Sequence, residues 1–527
     1  MIRKPYSLLR PAYNGGYSTN NDNTMRNRLL IISVFIVASC GIAYELITGA
    51  LASYLLGDSV LQFSSIIGCY LFAMGAGSHL SKYVKDERLL DTFVEIELLV
   101  GLIGGVSASL LFLVFALAGE PFRLVLYGMV FAIGLLVGME IPLVMRVLNQ
   151  RQTSFAELVS RVLTFDYLGA LAVSLLFPLL LAPKLGLSRS ALLFGLLNTG
   201  VAIWACRSFR RELSKPNLQL ARSGVVLLIL GALFAMSDQL THWNEKAIYG
   251  DEIIHAETTP YQRLVITKWK NDMRLYINGN LQFSSRDEYR YHEALVHPVL
   301  ASLPWARNVL VLGGGDGLAV REMLKYPNIR HITLVDLDPA MTRLFSRSEP
   351  LLALNHGALK DKRVTVVNED AARWLEQNEG SYDAVIVDFP DPSNFALGKL
   401  YSVPMYRLLS RHLAENGLAV VQSTSPYNAP RSYWSVDATL REAGFHTTPY
   451  HVYVPSFGEW GFIIAAKRAG FTPPERYTVP LRYLDKESTR EMFVFPPDMR
   501  RWDVKPNELN NQQLVHYFDQ DWSQVLR

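Results

Sequence analysis

Long apolar runs dominate the first 237 residues and disappear after them. Seven stretches stand out: Leu29–Leu56, Val60–Gly77, Phe93–Leu117, Leu124–Met145, Val162–Leu181, Ala191–Cys206 and a shorter one, Ser223–Met236. Such runs predict membrane-crossing helices, because about 20 apolar residues span the hydrocarbon core of a bilayer. After Asp238 the pattern changes to short apolar runs set between polar turns and stretches of helical spacing. Tyr261–Lys268 and Met273–Ile277 read as strands around a polar turn, and Tyr289–Ala301 as a helix. Strand and helix then alternate over 308–312, 318–325, 331–335, 364–367, 371–377, 382–387, 403–413 and 418–422. That alternation predicts a mostly parallel sheet with helices on both faces.

Basic residues alternate between the loops of the apolar half. Arg3, Lys4, Arg10, Arg26 and Arg28 precede the first run, and Lys82, Lys85 and Arg88 follow the second. Arg146, Arg151 and Arg161 follow the fourth; Arg207, Arg210, Arg211, Lys215 and Arg222 follow the sixth. The opposite loops hold only Arg123, Lys184 and Arg189, so the positive-inside rule places the amino terminus in the cytoplasm. The stretch before Leu29 is too long and polar for a cleaved signal, so the first helix is expected to be retained. The seventh run has about fourteen uncharged residues, roughly 21 Å as a helix, against a core of about 30 Å. Six or seven crossings are therefore expected: six with a cytoplasmic second half if this run is re-entrant or interfacial, seven if Arg222 snorkels and lets it cross.

The chemistry sits in the second half. Asn308-Val-Leu-Val-Leu312 ends in the loop Gly313-Gly-Gly-Asp-Gly317, which opens a helical stretch. A second run, Thr333-Leu-Val-Asp-Leu-Asp338, ends in carboxylates about twenty residues past the loop. Such a carboxylate can hold the two hydroxyls of a ribose, while the glycines admit a nucleoside close to the backbone. With no glycine at 318, the loop departs from the dinucleotide fingerprint and favours an S-adenosylmethionine type. Val364-Thr-Val-Val-Asn-Glu-Asp-Ala371 is a third strand ending in acids, and Tyr382–Val387 a fourth that delivers Asp388 and Asp391. Ligands of open α/β sheets sit at the carboxyl ends of strands, so these acids converge on one crevice suited to a cation.

Together these motifs resemble the spermidine synthase (polyamine aminopropyltransferase) family over residues 250 to 467. The matching pieces are Tyr261-Gln262, Leu281-Gln282, Arg286-Asp-Glu-Tyr-Arg-Tyr-His-Glu293, the glycine loop, Asp336-x-Asp338, Glu369-Asp-Ala371 and Asp388-x-x-Asp-Pro392. The resemblance implies that Gln262, Asp316, Asp336, Asp370 and Ala371 contact decarboxylated S-adenosylmethionine. It also implies that His292, Asp388 and Asp391 face the amine, with Asp388 as acid–base residue. No cofactor and no metal are implied; the co-substrate is the decarboxylated nucleoside and the acceptor is putrescine by default. Three positions depart from the family. Ile277-Asn278-Gly279 stands where Leu-Asp-Gly is usual, Asp336 where Glu is usual, and a diamine-lining tyrosine has no match in Tyr453–Gly461.

The expected fold class is thus a multi-pass α-helical membrane domain followed by a Rossmann-like α/β domain of the S-adenosylmethionine-methyltransferase type, with a small β-element before its sheet. The expected boundaries are 1–28 for a cytoplasmic segment, 29–237 for the membrane domain and 238–300 for the β-element and lead-in helix. Residues 301–468 form the catalytic domain, and 469–527 a carboxy-terminal extension that packs on it or meets the membrane surface. A mean hydropathy above zero agrees with an inner-membrane protein partnered by lipid. A net charge of +3 with no basic stripe argues against nucleic acid, and a homo-oligomer is left open. Cys40, Cys69 and Cys206 lie in apolar stretches as small hydrophobes, and His292 and His297, five apart, do not share a helix face for zinc.

Two rival functions remain from the sequence: a methyltransferase using S-adenosylmethionine itself, and a polyamine transporter or sensor. The second is kept by Glu45, Glu95, Glu97, Glu140 and Asp166, which fall within apolar runs where carboxylates are costly. Glu45, Glu140 and Asp166 are the expected lining of a cavity for a polyamine cation, their alternative being to hold the bundle together. Gly101, Gly104 and Gly105 predict close helix packing.

Overall fold

The computed structural model describes residues 18–56, 59–118, 121–149, 154–237, 239 and 249–525. Most of the expected segment 1–28, with Arg3, Lys4 and Arg10, lies outside the described residues, as do Arg151 and the boundary residue Asp238. The chain divides into two compact units, one of residues 1–53 and 60–248, the other of 54–59 and 249–527.

The first unit is helical: α1 Ser18–Leu56, α2 Ser59–Leu80, α3 Leu89–Ala118, α4 Phe122–Asn149, α5 Phe155–Leu176, α6 Ala182–Ser208 and α7 Pro216–Ala235. Six helical runs are long and apolar enough to cross a membrane, one of them the 54-residue run Phe155–Ser208. That run would measure about 80 Å if straight, more than twice a bilayer core. It is broken, however, at Gly186, inside α6, whose φ of 75° and ψ of 174° leave the helix, so the run is two helical segments that meet at this residue. The close packing expected at three glycines is present. An added Cβ at Gly101 would meet the Gly195 carbonyl at 3.0 Å and one at Gly105 would meet Leu230 at 2.9 Å, while Gly104 receives the ring of Tyr44.

The seventh run is longer than its uncharged stretch suggested. It begins at Pro216, whose missing N–H costs nothing in a first turn, and its 20 residues reach about 30 Å. It also runs alongside α3 in the same direction. Ser214 donates to Asp91, Gln219 donates to Glu95 at 3.0 Å, and Leu230 packs on Gly105. The sequence reading began this run at Ser223, after the charged Arg222, whereas Gln219 and Arg222 both lie within the helix and find Glu95 on α3.

The second unit opens with an antiparallel sheet, β1 Glu252–Thr258, β2 Arg263–Trp269, β3 Asp272–Ile277 and β4 Asn280–Ser284, in that order. Sequence reading found only its middle strands. The edge strand β1 shows no buried face, and β4 is five residues long behind a tight turn. That turn, Asn278-Gly279, has φ of 50° and 84°, the left-handed pair a two-residue hairpin prefers. After α8 (Glu288–Ala301) comes the main sheet: β5 Asn308–Gly313, β6 His331–Asp336, β7 Val364–Asn368, β8 Tyr382–Asp388, β9 Leu413–Gln422, β10 His446–Val454 and β11 Gly458–Ala466. Their spatial order is β10-β11-β9-β8-β5-β6-β7, parallel from β9 to β7, with β11 antiparallel to both its neighbours. The β10–β11 hairpin lay beyond the alternation read from the sequence.

The central strands β5 and β8 are largely apolar and buried because helices cover both faces, whereas the edge strand β7 has no buried residue. Val309 and Val311 enter the core on one side of β5, Leu310 and Leu312 the core on the other. Strand order reverses between β5 and β8, and a crevice opens at such a switch point, outside the carboxyl ends of the strands.

The carboxy-terminal extension packs on this unit. Glu293 of α8 accepts the backbone N–H groups of Arg482, Tyr483 and Leu484 at 2.7, 2.9 and 3.1 Å. The fully buried Asn507 donates to the carbonyls of Gly398 (2.8 Å) and Tyr401 (3.2 Å), fixing the segment that follows Asp391. Asn507→Ala would leave both carbonyls unpaired, at a cost of about 1–3 kcal/mol. We expect a Tm several degrees lower in a thermal melt.

Candidate active site

The glycine loop brings the ends of three strands together. Gly313 and Gly314 have φ of 82° and 66°, conformations that disfavour any side chain. An added Cβ at Gly313 would strike the Asp388 carbonyl, at Gly314 it would lie 3.2 Å from Asp388 Oδ2, and at Gly315 it would lie 2.6 Å from the Asp336 carboxyl carbon. The loop is thus threaded between Asp336, at the end of β6, and Asp388, at the end of β8. Glycine here serves close approach as much as backbone freedom.

On the β6 side, Asp336 accepts the N–H groups of Gly315 (3.0 Å) and Asp338 (2.9 Å), which hold its carboxylate at the loop. Burial pushes its pKa up to about 6, although those two donors pull it down. Asp316 is buried, accepts from Leu318 N–H at 2.8 Å, and is likewise raised by burial. Gln262 lies in the turn between β1 and β2. Thr259 Oγ1 donates to Asp338 Oδ2 at 2.8 Å and accepts the Gln262 N–H at 3.0 Å, tying that turn to the end of β6. Asp370 caps α9 (Ala371–Gln377) by accepting from Arg373 N–H and pairs with Lys399 at 3.0 Å. Burial opposes its charge, but the Arg373 N–H and Lys399 outweigh that and hold it below the usual carboxylate range. Ala371 is buried beside it.

On the β8 side, Tyr291 donates its hydroxyl to Asp388 Oδ1 at 2.6 Å. Burial lifts the Asp388 carboxyl to about 6, against the pull of His292 and Tyr291. Asp391 accepts from Gln422 Nε2 (3.1 Å) and Thr424 Oγ1 (3.3 Å), and burial lifts it to about 6 as well. The buried His292 shares Nδ1 with Glu288 Oε2 at 2.8 Å, and Glu288 is held by both terminal nitrogens of Arg321 at 2.9 Å. Burial alone would lower the His292 pKa; Glu288, Asp316 and Asp388 outweigh it and raise it. His297 joins the same buried network, bonding Tyr326 and Glu322, and Glu322 accepts from Arg321 Nε at 3.0 Å.

Residues 288–472 match the spermine/spermidine synthase domain. The chain is 67% identical over 506 residues to polyamine aminopropyltransferase 2 of Ralstonia nicotianae, covering 95% of this chain and 99% of that protein. The polyamine aminopropyltransferase family claims this chain. Its likeness to the polyamine aminopropyltransferase of Leptospira interrogans is 50% over 94% of this chain and 99% of that one, so the helical unit is part of the shared length. A solved spermidine synthase from Thermotoga maritima covers 46% of the chain and 85% of its own length, at 22% identity and a TM-score of 0.42.

Within this aminopropyltransferase, sequence reasoning passed over Tyr291, Gln422 and Thr424. Tyr291 stands in the same motif as His292 and could have been found there. Gln422 and Thr424 lie at the carboxyl end of β9, a strand end with no acid to draw attention. Thr424 takes φ of 61°, rare for a β-branched residue and the kind of strain that collects at functional sites. Where the usual tyrosine is missing, the β10–β11 turn brings Phe457 within 6.3 Å of the Tyr291 ring, and Trp460 donates to Gln422 at 3.2 Å.

Proposed function

We propose that the chain transfers the aminopropyl group of decarboxylated S-adenosylmethionine to putrescine or a related alkyl amine. The observation that carries this reading is the pair Asp388 and Asp391 at the end of β8, set across the glycine loop from Asp336. Asp336 would hold the ribose hydroxyls, with Gln262, Asp316, Asp370 and Ala371 around the rest of the nucleoside. Asp391 would hold one ammonium of the amine and Asp388 the other, beside His292.

An alkyl amine has a solution pKa of roughly 10, so it arrives protonated and without a free electron pair. With Oδ1 occupied by Tyr291, Asp388 Oδ2 is the oxygen left to take the proton as the nitrogen attacks the methylene next to the sulfonium. The new N–C bond forms as the C–S bond breaks, and its electron pair returns to sulfur. The charged sulfonium becomes the neutral thioether of methylthioadenosine. Positioning of two cations by fixed acids supplies the catalysis.

Mass spectrometry of products from purified protein given a panel of amines and both forms of the nucleoside tests this reading. Methylthioadenosine with a propylamine-extended product is the expected result. Methylated product with S-adenosylhomocysteine would replace it with methyl transfer.

We further propose that the helical unit is embedded in the inner membrane. The companionship of α7 with α3 supports seven crossings, which set the two ends of the chain on opposite faces. The charge bias favours a cytoplasmic amino terminus, whereas cytosolic supply of the nucleoside favours a cytoplasmic catalytic unit; with seven crossings only one of these holds. Fluorescent-protein and alkaline phosphatase reporters fused at each end should report opposite sides. The same side from both would return the count to six.

A further inference from the structure

Among the described residues, the helical unit buries a second group of acids together with polar side chains that have no hydrogen-bond partner. Glu97 of α3 is fully buried with both carboxylate oxygens unbonded, and Glu140 of α4 is 2% exposed with Oε1 unbonded. Asn198 of α6 is fully buried with both amide atoms unbonded, and Tyr44 of α1 keeps an unbonded, buried hydroxyl. Buried polar atoms ordinarily find partners, so this many vacant ones in one bundle point to something that satisfies them.

Helix packing brings the four together. Glu97, Gly101 and Gly104 recur at i, i+4 and i+7 along one stripe of α3. Gly104 lies against the Tyr44 ring, 2.6 Å from an added Cβ, and Gly101 against Asn198 at 3.3 Å. On α1, Cys40 donates to the Phe194 carbonyl of α6 at 3.6 Å, and Gly41 packs on Val137, one turn before Glu140 on α4. Tyr44 lies one turn further along the same face of α1, against Gly104 of α3. Glu45 and Asp166, grouped with Glu140 on sequence grounds, are only partly buried.

An ionised carboxylate in an apolar bundle needs a cation or several donors beside it. Glu97 and Glu140 offer acceptors, and Asn198 and Tyr44 can turn an oxygen toward the same point. A primary ammonium matches this set, with three N–H donors, one charge and an apolar stem. A divalent metal does not: among the described residues no three His, Cys, Asp or Glu side chains gather to hold one. We propose that Glu97, Glu140, Asn198 and Tyr44 form a second binding site, inside the helical unit, for the ammonium end of an alkyl amine. The proposal takes its ligand class from the aminopropyltransferase reading and none of its residues.

Equilibrium dialysis of labelled putrescine and spermidine against the full-length protein in lipid nanodiscs counts the sites. Two amines per chain are expected for the wild type. One is expected for Glu97→Gln combined with Glu140→Gln, at a turnover within about twofold of wild type. Asn198→Ala, a milder change should the double variant fail to fold, is expected to weaken the second site about tenfold, as loss of one hydrogen bond to a charged group does. Asp391→Ala should weaken the first amine and spare this one. One amine per chain in the wild type, or a second that survives both sets of substitutions, overturns the proposal. Displacement of the second amine by sodium or potassium at equal concentration overturns the ammonium assignment. Two-site binding without any aminopropyl transfer would remove the proposed function and leave this site standing.

Discussion

With Asp388 in its proposed role of proton acceptor, Asp388→Asn is expected to lower kcat by about 10²- to 10⁴-fold while nucleoside affinity stays within a few-fold. The amide keeps the shape of the carboxyl and can accept from Tyr291, so the loss measures the proton acceptor rather than the fold. The wild-type rate carries a matching pH dependence. Burial raises Asp388 to about 6, and the base is its ionised form, so kcat/KM should rise with pH through about 6 and this limb should vanish in the variant. Stability of the ligand-free protein runs the opposite way. Asp336, Asp388 and Asp391 sit near 6 folded against about 3.9 unfolded, so the folded state holds more protons between those values. Stability is greatest below about pH 4 with respect to these groups and falls as pH rises to about 6. A bound diamine reverses the trend, because it favours the ionised acids. Thermal melts across pH 4–7, with and without putrescine, check both signs.

Asp391→Ala raises the KM for a diamine by about 30-fold to several thousand-fold, since removing one partner of a buried charge pair costs about 2–5 kcal/mol. Of its two donors, Thr424 would lose its acceptor, which adds to the loss, while Gln422 Nε2 keeps the Phe389 carbonyl at 2.7 Å. A monoamine of similar length has no second ammonium to hold there and should show little change. The KM ratio of diamine to monoamine therefore isolates the role of Asp391. An equal effect on both acceptors would instead mean that Asp391 only shapes the loop before Pro392.

The sequence carried the parts of this protein that depend on local pattern. Apolar runs of membrane length mark their helices because each must bury its own backbone hydrogen bonds. The strands β5 to β8 were legible because both faces of the sheet are covered, which makes each strand a continuous apolar run ending in a glycine or an acid. The short edge strands β1 and β4 were not, since an exposed strand carries little apolar signal. Start points also escaped a reading by charge: Gln219 and Arg222 look like the end of a membrane segment until Glu95 of α3 is beside them. Acids could be found in the sequence by type, but their neighbours could not. Tyr291 meets Asp388 across 97 positions because α8 packs on the sheet, and Gln422 meets Asp391 across 31 because β9 lies beside β8. Likewise, the apolar runs flagged five acids alike. Packing against glycine stripes buried Glu97 and Glu140 beside Tyr44 and Asn198 and left Glu45 and Asp166 near the surface, because a carboxylate's environment is set by residues from other helices.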